Sequence, residues 1–225
     1  MEIEQAMQQR NWNQIGGQSN WGSFDFLTTN PTRSNSGQLT LSLWTRHKTK
    51  ANSTLQALQQ PAAADLISLV KRSVYQPPRS TDILLQEFIT RGPNEVDVAT
   101  VYESIALNRW SQAKETRNQP YQIYYLDPTI ETVSTAAIVR RNVGQGKAKA
   151  AKTFLDFLTT TQQQKVFVRY GFRPVAGNID LSSVANSPWS RGIAGSEVNP
   201  NVQTVSPPNQ QAIGELQRLW QRSSN

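Results

Sequence analysis

Cysteine is absent from the 225 residues, which excludes disulfides, thiol catalysis and cysteine-held metal. Histidine occurs once, as His47. It sits in Arg46-His47-Lys48, which reads as the basic C-terminus of a helix, so histidine-rich metal sites are excluded and a serine triad has no suitable base. No nucleophile elbow, Walker lysine loop or dinucleotide fingerprint occurs; Gly144-Gln145-Gly146 lacks the third glycine and reads as a helix start. These gaps argue against an enzyme, a cofactor and a metal. No apolar run approaches the ~18 residues of a membrane span. The opening Met1-Glu2-Ile3-Glu4-Gln5 has neither a basic nor an apolar signal-peptide region. The sequence therefore predicts either a cytoplasmic protein or an internal piece of a longer chain.

Charge is plentiful but spread out. The net charge is +7, from 23 basic and 16 acidic residues, yet no run of five basic residues occurs. The densest stretch, Lys147 to Lys152, reads as a solvated helix face, and nucleic acid is not expected as a partner.

The remaining sequence is organised around residues 24–43. Phe24, Phe26 and Leu27 predict a strand over Phe24–Thr28, stopped by Asn30-Pro31. Ser34, Asn35, Ser36 and Gly37 then lead into a helix carrying Leu39, Leu41, Leu43 and Trp44. A strand, a polar loop and a helix N-terminus can hold a small polar or anionic ligand on free backbone NH groups. Taken alone, the stretch favours an ordinary N-cap formed by Ser34 or Ser36 over a ligand site.

Further along, Ala62–Val74 has helical apolar spacing, and Ser80 or Thr81 caps a helix ending at Gly92-Pro93. Valines predict a strand over Val96–Val101, closed by Tyr102-Glu103, where α/β proteins place ligand groups. Ser104–Trp110 predicts a helix and Lys114–Pro120 an exposed loop. Strands are expected over Tyr121–Leu126 and Thr132–Val139. Helices are expected over Lys147–Leu158, Thr161–Tyr170 and Gln210–Gln221. Ala148, Ala151, Phe154, Leu155 and Leu158 are expected to face inward. Alternating strands and helices argue an α/β fold, and Arg33 and Arg173 are candidate anion partners.

The run Ala148-Lys149-Ala150-Ala151-Lys152-Thr153-Phe154-Leu155-Asp156-Phe157-Leu158, with Tyr170-Gly171-Phe172-Arg173-Pro174 after it, resembles the C-terminal signature of bacterial extracellular solute-binding proteins of ABC importers. Asn30-Pro31-Thr32-Arg33-Ser34-Asn35-Ser36-Gly37 resembles the loop opening their second lobe, and Tyr121–Thr129 is similar to their return crossover. The resemblance implies a type II periplasmic-binding-protein fold, a mixed sheet flanked by helices, with most of the first lobe missing because the Asn-Pro loop arrives so early.

On that resemblance, 1–20 is a lead-in, 21–130 a second-lobe α/β domain, and 131–225 the return crossover and C-terminal helical region. It implies a small polar solute bound by lobe closure and contacted by Thr32, Ser34, Asn35, Ser36, Tyr102, Glu103 and Thr129. It also implies an ABC permease or a linked domain as partner, and a periplasmic or extracellular location. The alternative is a non-catalytic structural or interaction domain that keeps the fold without binding solute. Without a first lobe, the apolar faces of Phe154–Leu158 and Val166–Phe172 need cover. The C-terminal helix, with Leu216, Leu219 and Trp220, is expected to supply it, helped by self-association.

Overall fold

The computed structural model describes residues 2–117 and 120–223. Eleven elements organise them. Helix α1 (Glu2–Gln9) leads through two short 3₁₀ turns to strand β1 (Phe26–Leu27) and helix α2 (Asn35–Thr49). Next come α3 (Thr54–Leu58), α4 (Pro61–Ser73), α5 (Thr81–Arg91), strand β2 (Val98–Ala99) and α6 (Glu103–Arg117). Finally α7 (Gln145–Leu158) and α8 (Thr161–Arg169) form a pair, and α9 (Gln210–Arg222) follows a long loop.

The helix boundaries have local causes. Pro61 opens α4 with its fixed φ. The Ser80 hydroxyl accepts from the Ile83 NH at 3.3 Å to cap α5. Gly92, at φ +74, lets the chain leave α5 while its NH reaches the Phe88 carbonyl. Asn209 caps α9 through the Ala212 NH at 2.9 Å.

Helix α2 lies at the centre, with Leu39, Leu41, Leu43 and Trp44 all buried. These residues do not share one helical stripe. They are buried together because α2 is covered all round, and a fully enclosed helix needs no single apolar face. Its hydroxyls are satisfied inside: Thr40 donates to the Ser36 carbonyl, Thr45 to Leu41, and Ser42 meets Thr54.

The sheet is smaller than the sequence predicts. Strands β1 and β2 pair in parallel, Phe26 with Val98 and Leu27 with Ala99, and form a two-stranded sheet. The expected strands over Tyr121–Leu126 and Thr132–Val139 are not formed; both stretches are irregular. The cause is the lack of a partner. A strand exists only as part of a ladder, and here Ile123 makes one bond to the Ala194 carbonyl while Thr129 bridges Thr204. The first stretch still keeps strand alternation: Ile123 and Tyr125 point inward, Tyr124 and Leu126 outward. The loop expected over Lys114–Pro120 is α6 as far as Arg117, and Asn118 and Gln119 lie outside the described residues.

Three apolar clusters fill the interior. The largest joins Met7 of α1, Phe26, Leu41, Leu66, Ile67, Val70 and Leu84 with Leu216 and Trp220 of α9. A second joins Leu107 of α6 to Ile123, Val168, Leu181 and Trp189. A third seats Leu85 and Ile89 of α5 on Ala113 of α6.

Helix α9 therefore does not cover α7 and α8, contrary to expectation. It lies across α2, α3 and α4, where Leu216 and Trp220 are buried in the main core. The lead-in belongs to that same core, through Ala6, Met7 and the partly buried Trp12. No residue of α7 is buried, so the inward placement expected of Ala148, Ala151, Phe154, Leu155 and Leu158 is not found. Phe154 and Phe157 stand 57% and 48% exposed.

Beside the sheet, the Asp97 carboxylate accepts the Asp25 NH at 2.7 Å. Burial raises the Asp97 pKa above the usual carboxylate value, the Asp25 and Trp12 hydrogen bonds oppose the rise, and the Asp25 charge adds to it. The folded chain then holds this proton to higher pH than the unfolded chain. Asp97 favours the folded state most below the unfolded pKa, and that advantage falls as pH rises through the folded pKa. Asp97→Asn keeps an acceptor without the charge. Its stability relative to the parent, read from urea midpoints between pH 3 and 7, should increase as pH rises across that window. A constant difference would refute the assignment.

Candidate functional site

The carboxyl ends of β1 and β2 lead into one region. Beyond β1, Thr28 and Thr29 run to the N-terminus of α2; beyond β2, Thr100 to Tyr102 run to the N-terminus of α6. Ligands in open α/β sheets bind beyond such strand ends, and helix N-termini favour electron-rich groups. The two termini touch, the Asn35 side-chain amide donating to the Tyr102 hydroxyl at 2.8 Å.

Glu103 opens α6 and is held from three directions. The Arg173 guanidinium grips its carboxylate through bonds of 2.7 and 2.8 Å, and the Tyr125 hydroxyl donates at 2.7 Å. Arg173 also donates to the Val198 carbonyl at 2.6 Å and the Glu197 carbonyl at 2.9 Å, and lies 5.4 Å from the centre of the Trp189 ring. The Glu103 hydrogen bond raises the Arg173 pKa further, against the opposing effect of burial. Burial pushes Tyr125 up to about 12 and raises Tyr102 above its ordinary value. Both phenols are therefore neutral donors near pH 7, and the Glu103–Arg173 pair contributes no net charge.

Beneath Asn35 lies a knot of hydroxyls. Ser36 is 5% exposed and meets Thr29 at 2.8 Å, Thr81 at 2.7 Å and Ser34 at 3.1 Å. A hydroxyl gives one hydrogen bond and takes two, so Ser36 is saturated. Gly37 follows because the chain comes too close for a side chain: a Cβ there would stand 2.3 Å from the Thr29 carbonyl oxygen.

These groups border an open cleft of about 2020 Å³. Of the seven residues singled out from the sequence, Asn35, Ser36, Tyr102, Glu103 and Thr129 line it, whereas Thr32 and Ser34 do not. Thr32 is taken up by the Asn30 side chain, through its NH at 2.9 Å and its hydroxyl at 2.8 Å. Ser34 occupies the N-cap position of α2 without a side-chain cap bond, its hydroxyl turned to Ser36 instead. Thr129 spends its backbone on the 203–205 segment. Arg33 is exposed and has no part in the cluster.

The sequence reading missed Tyr125, Thr29 and Thr81. The parity of Ile123 and Tyr125 pointed to the first, but no local signal marks the other two, which are brought to Ser36 by tertiary packing. Among the described residues no cluster of acids and histidine could hold a metal, and no helix is long and apolar enough to cross a membrane.

The family model for bacterial extracellular solute-binding protein matches residues 4–173. The chain belongs to that family. Neither the curated proteins nor the solved structures give a match. The matched stretch includes both partners of the Glu103–Arg173 pair and ends at the arginine; α9 and the loop before it lie beyond. Binding of a solute for transport is the role that the family carries.

Proposed function

We propose that this chain binds a small polar solute at the Asn35–Tyr102 edge of the cleft and hands it to the permease of an ABC importer, outside the cytoplasmic membrane and without catalysis. The observation that carries the reading is the meeting of two helix N-termini beyond the ends of a parallel strand pair, bridged by Asn35 and Tyr102. The saturated hydroxyls below hold the floor. The Glu103–Arg173 pair is neutralised internally, and the two helix N-termini offer their dipoles to an electron-rich group of the solute. The parallel pair and the openness of the cleft support a type II periplasmic-binding fold. That openness also favours a second reading: a cleft larger than the ~300–1,000 Å³ of a usual ligand site suits an interaction domain that has stopped binding solute.

Isothermal titration of the full chain with amino acids, sugars and small oxyanions separates the two readings. We expect one class to bind. Asn35→Ala and Tyr102→Phe should each weaken it roughly fivefold to tenfold, the effect of one lost hydrogen bond of ~1 kcal/mol, with the thermal midpoint little changed. Binding by none of the classes would sink the solute reading.

A further inference from the structure

We propose that the exposed face of α7 and α8 docks on an anionic lipid surface. The first observation is where the charge sits. Residues 140–169 contain seven basic side chains and one acid, so this stretch holds a net +6 of the chain's +7. Arg140 and Arg141 precede α7, Lys147, Lys149 and Lys152 lie on it, and Lys165 and Arg169 lie on α8. All seven are exposed. Among the described residues only Lys152 has an acidic partner, Asp156 at 2.9 Å, and an exposed pair of this kind binds weakly. The other lysines and arginines are left facing water.

The second observation is what stands between the charges. Phe154 and Phe157 lie side by side, ring centres 6.5 Å apart, on a helix with no buried residue. Lys147 precedes Phe154 by seven residues, two turns of helix, and so shares its stripe; Lys149 falls on the other flank of the aromatic pair, and Lys152 lies on the opposite face of the helix, paired with Asp156. Phe167 adds 36% of its surface from α8. A basic helix with exposed rings between its lysines matches the boundary of a charged bilayer, where headgroups meet the cations and the rings enter the acyl region. Duplex nucleic acid would meet the charge and leave the rings in water. A second copy of this face would bring seven cations against seven. This face meets the cleft at Phe167, contains neither residue of the Asn35–Tyr102 bridge, and its docking does not depend on solute binding.

The test is co-sedimentation of the full chain with vesicles of equal phosphatidylglycerol and phosphatidylcholine, and with phosphatidylcholine alone. Binding is expected to the anionic vesicles, weakened at least tenfold between 50 and 500 mM salt, and at least tenfold weaker to neutral ones. Each basic residue near such a surface contributes about fivefold, so the combined Lys147→Gln, Lys149→Gln variant should bind about 25-fold less. Phe154→Ser with Phe157→Ser should bind at least tenfold less while keeping its salt response. All four positions are exposed, and unchanged far-ultraviolet dichroism checks that the variants fold. Equal binding to neutral vesicles, binding unaffected by both variants, or tighter binding to duplex DNA than to anionic vesicles would overturn the proposal. So would a dimer abolished by the phenylalanine changes without any vesicle binding.

Discussion

Removing the chain after Ser206 is expected to abolish cooperative unfolding. Helix α9 places Leu216 at 0% and Trp220 at 4% exposure in the main core, among side chains from α1, α2 and α4. Truncating one buried leucine costs about 2–5 kcal/mol and a buried tryptophan about 3–5. Their joint loss approaches the ~5–15 kcal/mol that holds a whole domain folded. The helix is also tied at its C-terminal end and midway along its length. The Lys71 ammonium donates to the Ser223 carbonyl at 2.6 Å, and Gln217 reaches the Pro31 carbonyl at 3.4 Å. In a urea titration followed by circular dichroism, the truncated chain should show a broad, shallow transition or none. Leu216→Ala should keep a sigmoidal curve with stability lower by about 2–5 kcal/mol. A truncated chain that unfolds sigmoidally at the parent midpoint would show that the core closes without α9.

Loss of the Arg173 side chain should have the next largest effect. Arg173→Ala leaves the Glu103 carboxylate with only the Tyr125 hydroxyl and frees the Glu197 and Val198 carbonyls. Stranding a fully buried charge costs about 3–5 kcal/mol. Here the arginine and glutamate side chains are 32% and 23% exposed, and water relieves part of that penalty, so about 2 kcal/mol is expected. Glu103→Gln, which keeps two polar atoms for the arginine and hydroxyl, should lose about half as much. Arg173→Lys should fall between, because an ammonium cannot reproduce the two-pronged grip. A loss under ~0.5 kcal/mol for Arg173→Ala would reduce the pair to an ordinary surface contact.

The helices were legible because their signals are local. Ser80 marks a start with its capping hydroxyl, Gly92 and Gly171 mark ends by the positive φ they can adopt, and the structure follows each of them. The sheet was less legible. Thr132–Val139 has the composition of a strand, but whether a strand forms depends on a neighbour that composition does not supply. The packing of α9 was misjudged for a related reason. Its amphipathic spacing is plain in the sequence, yet spacing says that a face is buried and not against what.

At the candidate site, Tyr102 and Glu103 were visible from their position after a valine run. Arg173 was visible only as a charge without an address. Asn35 was legible as a helix start, but its amide bond to Tyr102 joins residues 67 apart in sequence. Ser36 was read as a ligand contact and proves to be saturated by Thr29, Ser34 and Thr81, two of them drawn in by elements that no motif links.

That knot of alcohols also determines how the cleft responds to acidity. Ser36, Thr29, Ser34 and Thr81 carry no proton that leaves or arrives anywhere in the range where proteins stay folded. Donor and acceptor roles can switch between Ser36 and each of its three partners without changing the total. The floor under Asn35 is therefore the same at pH 5 as at pH 9. Any acid sensitivity in what the cleft holds then belongs to the guest or to groups outside this knot.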